Sequence, residues 1–289
     1  MRKILYTGFL VLLLGSITPI VNAAAYYTNY NNIEMTEQEY SNLVELGFTE
    51  SEIYQMSNQE FLDNKDLNAT LVSEKEEYYK VTTITKNGVS TSTSEVITEN
   101  QYQQEKNSSN LQTRSGYDGI VTTDYKRMRT SITQVNSNEY RYKVTLTWLN
   151  IPSTRSHDII AIGFEPSLVQ LNSSVYFQQN YTNSSGSHSP VTCIPIAGSN
   201  GGSAVFKLPT GTLSALSSYL YYDVIKADED FTVTEMLASG DYAHATSSIS
   251  ETNAQKHSVN HADGIVLNSS IASYYDGINI AQASWYGTW

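Results

Sequence analysis

From residue 117 onward the chain is a series of short β-prone runs, and this pattern constrains the fold most strongly. Nine runs rich in Val, Ile, Thr, Tyr and Phe are separated by Asn, Gly, Ser and Pro. In "YRYKVTLTW" the residues Tyr140, Tyr142, Val144, Leu146 and Trp148 alternate with Arg141, Lys143, Thr145 and Thr147. This alternation is typical of a half-buried strand. The pattern predicts an antiparallel β-sandwich or barrel-like domain over residues 117–289, and therefore a mainly β protein.

Residues 29–103 predict a small acidic module of a different kind. Three Ser/Thr-x-x-Glu sequences match the capping box that opens a helix: Thr36 with Glu39, Thr49 with Glu52, and Ser57 with Glu60. Two β-prone runs follow, joined by Asn87-Gly88, a dipeptide that favours a tight hairpin turn. We expect a helical hairpin plus a β-hairpin, which makes the chain α+β overall. So small a unit must pack on another surface to be stable.

The segment between these regions, "QEKNSSNLQTRSG" at 104–116, is polar and has no hydrophobic period. It predicts a linker between two domains, and exposed polar segments of this kind are also sites of proteolysis. A long surface loop within one domain is the alternative.

The first 23 residues predict a secretion signal. Arg2 and Lys3 precede the apolar run "FLVLLLGS", and Val21-Asn22-Ala23 suits cleavage before Ala24. A membrane anchor is the alternative, because the apolar stretch is about as long as the roughly 18 residues of a minimal span. We expect an extracellular mature protein with no membrane span. Cys193 is the sole cysteine, so no internal disulfide can form.

The charge distribution excludes nucleic acid as a partner. Residues 24–113 carry 15 acidic and 5 basic side chains, and the whole chain has a net charge of −12. Such an acidic surface lacks the basic footprint that nucleic-acid binding requires. The local cluster of Lys126, Arg127 and Arg129 could hold an anion, but solvated side chains along a strand also explain it.

Two segments of the sequence carry a resemblance. The run that contains "MTEQEY", "LGFTESEI" and "NKDL" resembles the N-terminal segment of a set of uncharacterised secreted proteins from Gram-positive bacteria, and "RSHDIIAIGF" at 155–164 is similar to another segment of such proteins. The resemblance implies a bacterial extracellular setting. It implies no activity, ligand or catalytic residue.

One pair of histidines predicts a metal site. His257 and His261 have the spacing that places two imidazoles on one face of a helix, with His244 and Asp263 near in sequence, and zinc is the cofactor such a set would hold. Against this, "KHSVNHADG" is polar, ends in a turn and lacks the glutamate of a metalloprotease helix. No Gly-x-Ser-x-Gly turn or nucleotide-binding glycine loop occurs in the chain.

Aromatic residues are concentrated at the C-terminus. The chain has 22 tyrosines, and its last 16 residues contain Tyr274, Tyr275, Trp285, Tyr286 and Trp289. Exposed rings of this kind suit recognition of a protein or a glycan. The alternative is a final strand whose rings close the core.

Three functions from different classes remain. The first is a secreted, non-enzymatic binding module for a protein, glycan or cell surface, which fits the aromatic residues, the acidity and the lack of catalytic motifs. The second is a metal-dependent hydrolase that uses His257 and His261. The third is a toxin that inserts the hairpin "VTTITKNGVSTSTSEVIT", although few of its positions are apolar where a membrane stem needs them.

Overall fold

The computed structural model describes residues 26–87, 89–107, 114–116, 119–190, 195–277 and 279–289. The predicted signal peptide, Cys193 and residues 108–113 of the predicted linker lie outside the described residues.

Strands make up most of the described chain. Their bounds are β1 Tyr27–Thr28, β2 Glu34–Met35, β3 Thr70–Lys86, β4 Val89–Ile97, β5 Arg114–Gly116, β6 Gly119–Asn136, β7 Glu139–Trp148, β8 His157–Gly163, β9 Leu168–Gln170, β10 Tyr176–Asn183, β11 Gly186–His188, β12 Gly201–Lys207, β13 Leu213–Lys226, β14 Glu235–Ala243, β15 His257–Asn260, β16 Gly264–Leu267 and β17 Asn279–Tyr286. The helices are α1 Glu37–Glu45, α2 Glu50–Gln55, α3 Asn58–Asn64, α4 Glu99–Asn107 and α5 Glu251–Ala254, with short 3-10 turns at Asn172–Ser174 and Ala272–Tyr274. No helix in the described ranges is both long enough and apolar enough to cross a membrane.

Two antiparallel sheets organise the described residues, and they confirm the predicted mainly β, sandwich-like fold. The large sheet has nine strands in the order β11-β10-β13-β7-β6-β3-β4, with β5 beside β6 and β9 beside β13. The small sheet has four strands in the order β12-β8-β14-β17. The pairs β1-β2 and β15-β16 lie outside both sheets.

The predicted hairpin forms as β3 and β4. Asn87 has φ 54°, the positive angle that a tight hairpin turn needs. The hairpin is also part of the large sheet, because β3 pairs with β6 from Thr70 opposite Gln134 to Thr85 opposite Ile120. A chain segment from the predicted N-terminal module therefore lies directly beside the first long strand of the predicted sandwich.

The main core lies between the two sheets. It is built from the apolar faces of β6, β7, β13, β8, β14 and β17, and its fully buried members include Met128, Ile132, Tyr142, Val144, Leu146, Ile160, Ile162, Leu220, Tyr222, Met236 and Tyr242. The sheets approach closely at Gly240, where an added Cβ would lie 2.1 Å from Thr130 Oγ1. Only glycine fits at that position.

The three N-terminal helices cover the outer face of the large sheet. Leu43, Leu46, Phe48 and Ile53 pack with Tyr219 and other residues of that face in a second buried cluster. The prediction that β7 is half-buried is therefore wrong. Its polar face is also buried: Lys143 bonds to Glu52 of α2, and Arg141 pairs with Asp223 of β13.

The capping predictions are confirmed at two helices and half confirmed at the third. Thr36 and Thr49 form complete capping boxes with Glu39 and Glu52. At α3 the hydroxyl of Ser57 accepts the amide of Glu60, but the Glu60 carboxyl does not return to the cap. It is buried and accepts the Tyr219 hydroxyl at 2.9 Å from each oxygen.

The outer face of the small sheet is covered by the chain between β14 and β17. Apolar residues of this segment, among them Ile249, Ala254, Ile265 and Ile271, pack on Ile159 and Val205 of the sheet. Helices, large sheet, small sheet and this covering segment form four successive layers.

Candidate binding groove at the edge of the large sheet

Strand β4 forms one edge of the large sheet. Within the described part of the chain no other strand pairs with its outer side. It has nine residues, "VSTSTSEVI", with no proline and no lysine, so two of the usual devices that block edge pairing are missing from it.

Hydrogen-bonded and non-hydrogen-bonded residue pairs alternate along the β3-β4 hairpin, and this alternation decides which backbone groups of β4 point away from β3. Lys86 and Val89 flank a two-residue turn, and such a flanking pair exchanges both hydrogen bonds. Alternate residues then point their N–H and C=O groups away from β3, which applies to Ser90, Ser92 and Ser94. The close contacts of Ser90 and Ser92 with the hydroxyls of the opposite threonines, 2.8 Å each, agree with this register.

A groove of about 600 Å³ lies beside this edge. Ser90, Thr91 and Ser92 of β4 form one wall, and residues 263–277 form the rest. Part of the second wall is apolar: it contains Ile265, Val266 and Leu267, and 42% of Val266 is exposed. Val96, farther along β4, is 63% exposed. The groove therefore combines unpaired backbone polar groups with apolar side chains.

A buried ion pair lies at the base of the groove. Asp276, which lines the groove, accepts a hydrogen bond from Lys126 Nζ at 2.7 Å, and both side chains are wholly buried. The other carboxylate oxygen of Asp276 accepts the backbone N–H of His244 at 2.7 Å.

Other titratable side chains are buried close to this pair. Asp158 accepts His244 Nδ1 at 2.9 Å and also bonds to the Tyr242 hydroxyl. Burial lowers the pKa of His244, but the Asp158 and Asp276 carboxylates together raise it more, so that it lies above its ordinary value. Burial raises the pKa of Asp241 to about 7, although three backbone N–H groups oppose that shift. Burial also raises the pKa of Asp124.

The predicted metal residues are not brought together. Both ring nitrogens of His257 are engaged, Nδ1 with the Ala254 carbonyl and Nε2 with Ser203 Oγ, each at 3.0 Å. His244 is buried with Asp158, while His261 and Asp263 are exposed in the turn after β15. Across the residues the structure describes, no three His, Cys, Asp or Glu side chains are grouped to hold a metal ion.

The five predicted aromatic ligand residues are divided between two places. Tyr275 is buried and lines the groove, and its hydroxyl donates to the His157 carbonyl, while the preceding Tyr274 is exposed. Trp285 and Trp289 pack on Tyr140 at the far end of β17, with ring centroids 5.8 and 4.7 Å away. Tyr286 points outward and is 72% exposed.

A smaller pocket adjoins Trp289. It has a volume of about 330 Å³ and is lined by Asn138, Ile225, Lys226, Glu229 and Trp289. The Lys226 ammonium lies 5.5 Å from the centre of the Trp289 ring, and the indole N–H donates to the Ser137 carbonyl at 2.8 Å.

Sequence reasoning missed both the groove and the buried pair. Nothing in "VSTSTSEVI" distinguishes an edge strand from a central one, because a strand can pair with strands that are far away in the sequence. Lys126 did carry a signal: it alternates with Met128 and Ile132 on one face of β6, and that face is buried. The expectation that Lys126 is solvated is wrong.

No family model and no curated protein matches this sequence. Among solved structures, the chain is similar to the full-length major pilin SpaD from Corynebacterium diphtheriae, with a TM-score of 0.29 and 10% sequence identity. The similarity covers 71% of this chain and 59% of the pilin chain, so this chain spans less than two thirds of the pilin's length. A likeness this weak carries no argument about function.

Proposed function

We propose that this protein is an extracellular, non-enzymatic binding module, and that its partner is a protein that adds an extended segment to the edge of β4. The observation that carries the proposal is the proline-free outer edge of β4, unpaired within the described residues, beside a groove with an apolar wall. The extracellular setting is supported by the secretion signal predicted for residues 1–23.

Strand addition explains why both features occur together. An added strand would take up the outward N–H and C=O groups of Ser90, Ser92 and Ser94, which supplies affinity without reading sequence. Alternate side chains of the added strand would lie on the groove face of the sheet. Apolar side chains there would contact Leu267 and Val266, which supplies specificity.

The partner segment should therefore have apolar residues at every second position. Asp263 also lines the groove and is exposed, and the protein as a whole is acidic. Basic residues at the intervening positions or at one end of the segment would be favoured by this charge, whereas an acidic segment would be repelled.

The test is selection of displayed random peptides on the purified protein, followed by titration calorimetry with the selected peptides. We expect sequences with alternating apolar residues, and a Ser92→Pro variant that binds them at least tenfold more weakly. Proline removes an outward N–H at Ser92 and leaves the bonds to β3 in place. Val266→Asp should weaken binding through the opposite wall.

The matched control is Thr93→Ala, on the same strand but with its side chain on the face opposite to that of Ser92. It should bind the selected peptides as the wild-type protein does. Peptides without an alternating pattern, or peptides that bind Ser92→Pro unchanged, would contradict strand addition. Circular dichroism and thermal melting must first show that both β4 variants are folded.

A second candidate is glycan binding at Trp289. The flat indole borders a pocket with one cation, one carboxylate and one amide, supplied by Lys226, Glu229 and Asn138. Sugar rings stack on indole faces, and their hydroxyls bond to such groups.

A glycan array separates the two candidates. Binding that is lost in Glu229→Ala and Trp289→Leu, but kept in Ser92→Pro, would place the ligand at the Trp289 pocket. Tyr286→Ala is the control, since Tyr286 is a neighbouring exposed ring outside that pocket. An array with no bound glycan would exclude this candidate and leave the edge groove as the binding site.

A further inference from the structure

Two buried lysines of this protein differ sharply in how they are hydrogen bonded. Lys143 donates to the Gly47 carbonyl, to both oxygens of Glu52 and to Thr145 Oγ1, at distances of 2.8 to 3.2 Å. Its ammonium is therefore fully satisfied. A buried ion pair of this kind is tolerated because further hydrogen bonds offset the cost of removing both charges from water.

Lys126 lacks that support. In the part of the chain that the structure describes, its ammonium has one hydrogen-bond acceptor, Asp276 Oδ2 at 2.7 Å. The rings of Tyr242 and Trp148 lie 5.2 and 5.8 Å from the nitrogen. An ammonium has three N–H donors, and here aromatic faces surround it in place of further oxygen acceptors.

We infer that Lys126 and Asp276 become joined by an amide bond between Nζ and the side-chain carbonyl carbon of Asp276. The two groups are held in contact between rigid sheets, which supplies the proximity that a condensation reaction needs. Both side chains are wholly buried, so bulk water does not solvate the two reacting groups.

The reaction balances with no other reactant. The attacking nitrogen must be neutral, so a proton first passes from the ammonium to the carboxylate along the 2.7 Å hydrogen bond that joins them. The lone pair of Nζ then attacks the carbonyl carbon, the bond from that carbon to Oδ2 breaks, and Oδ2 leaves as water with two of the three ammonium protons. One proton stays on the new amide nitrogen, and nothing is oxidised or reduced.

Three features of the surroundings favour this step. The backbone N–H of His244 donates to Asp276 Oδ1 at 2.7 Å, where negative charge develops as the nitrogen attacks. Asp124 lies two residues before Lys126 on the same face of β6, is buried, and has a raised pKa, so it can exchange a proton close to the pair. Asp276 also lines the groove beside β4, which gives the released water a way out.

The bond would link β6 of the large sheet to Asp276, which precedes β17 of the small sheet, across 150 residues of sequence. With Cys193 as its sole cysteine, the chain has no means of closing such a loop with a disulfide. A covalent link over a long loop stabilises a fold by restricting the unfolded chain. The melting temperature should therefore fall when either partner is replaced.

The experiment is intact mass spectrometry of the purified, denatured full chain, with its N-terminus determined. The wild-type protein should weigh less than its sequence by one water molecule, and a protease digest should contain one branched peptide that joins the segments around Lys126 and Asp276. Lys126→Met and Asp276→Ala should each have the full mass of their sequence. Lys143→Met, the matched control at the saturated lysine, should still show the loss of water.

Asp276 precedes Gly277, and an Asp-Gly sequence can also lose water by ring closure onto the following backbone nitrogen. That product has the same mass but needs no lysine, and its peptides are linear. A loss of water that persists in Lys126→Met, or a wild-type protein with its full sequence mass, would overturn the inference. The wild-type mass and digest decide the matter even where a variant does not fold.

Discussion

Lys143 Nζ lies 2.8 Å from each carboxylate oxygen of Glu52, and both side chains are buried between helix α2 and the large sheet. Glu52 also accepts the Thr145 hydroxyl at 2.7 Å. The acidic N-terminal helices are therefore attached to the sheet by a specific charged contact as well as by apolar packing. These helices cover the polar outer face of β7.

Replacement of Lys143 by Met should lower the free energy of unfolding by about 3–5 kcal/mol, because it leaves the Glu52 carboxylate buried without its cation. Urea denaturation at neutral pH measures the effect. The control is Lys75→Met, which removes an exposed partner of Glu77 and should change stability by less than about 1 kcal/mol.

The double variant Lys143→Met/Glu52→Leu tests the physical reason. Removing both charges should recover most of the lost stability, since no unpaired charge then remains in the interior. A double variant as unstable as Lys143→Met alone would show that the cost comes from packing.

Glu60 should make the stability of this protein depend on pH. Burial raises its pKa to about 8, although the Tyr219 and Tyr176 hydroxyls and Lys143 oppose that shift. A carboxyl with a raised pKa binds more protons in the folded state, so its contribution to stability is present at low pH and is lost as pH rises from about 5 to about 8.

Glu60→Gln should remove this contribution to the slope, which amounts to at most about 1.4 kcal/mol per pH unit for one proton. Urea denaturation of both proteins at several pH values across that range measures it. Glu165 and Asp241, whose pKa values burial raises to about 7, titrate in both proteins and cancel in the comparison. Parallel stability curves would contradict the assignment to Glu60.

How far the sequence predicts this structure depends on the range of the interactions involved. The capping boxes at Thr36 and Thr49 and the hairpin at Asn87 depend on residues a few positions apart, and the structure confirms them. The burial of the polar face of β7 depends on the contact between Lys143 and Glu52, which lies 91 residues earlier in the sequence. No local pattern around Lys143 contains that information.

The third capping sequence shows that a local pattern can be only partly realised in the structure. Ser57 and Glu60 have the right spacing, and Ser57 does cap the helix. The Glu60 carboxyl lies instead against Tyr219, 159 residues away. The contact with Tyr219 thus overrides the local preference of Glu60 for the capping box.

The cap at Thr49 offers a test of a purely local prediction. Its hydroxyl accepts the Glu52 amide at 3.3 Å, and its own amide donates to the Glu52 carboxylate at 2.7 Å. Thr49→Ala should cost about 1 kcal/mol of stability, because the first turn of α2 loses its hydroxyl acceptor. Thr49→Ser keeps that acceptor and should be close to the wild-type protein in thermal melting. Equal losses in both variants would point to the threonine methyl group instead of the cap.

The approach of the two sheets at Gly240 gives the sharpest packing prediction. A Cβ there would lie 2.1 Å from Thr130 Oγ1 and 2.8 Å from Val144 Cγ2, and both neighbours are fully buried. Gly240→Ala should therefore push the sheets apart and cost about 2–3 kcal/mol or more in urea denaturation. The control is Gly277→Ala, whose Cβ would have a single neighbour within 4 Å among the residues that the structure describes, Ser94 Cβ at 3.9 Å. Adding Thr130→Ala to Gly240→Ala removes the closest clashing atom and should restore part of the stability, because the clash is steric. A Gly240→Ala protein as stable as wild type would mean that the sheets can separate at this point without loss.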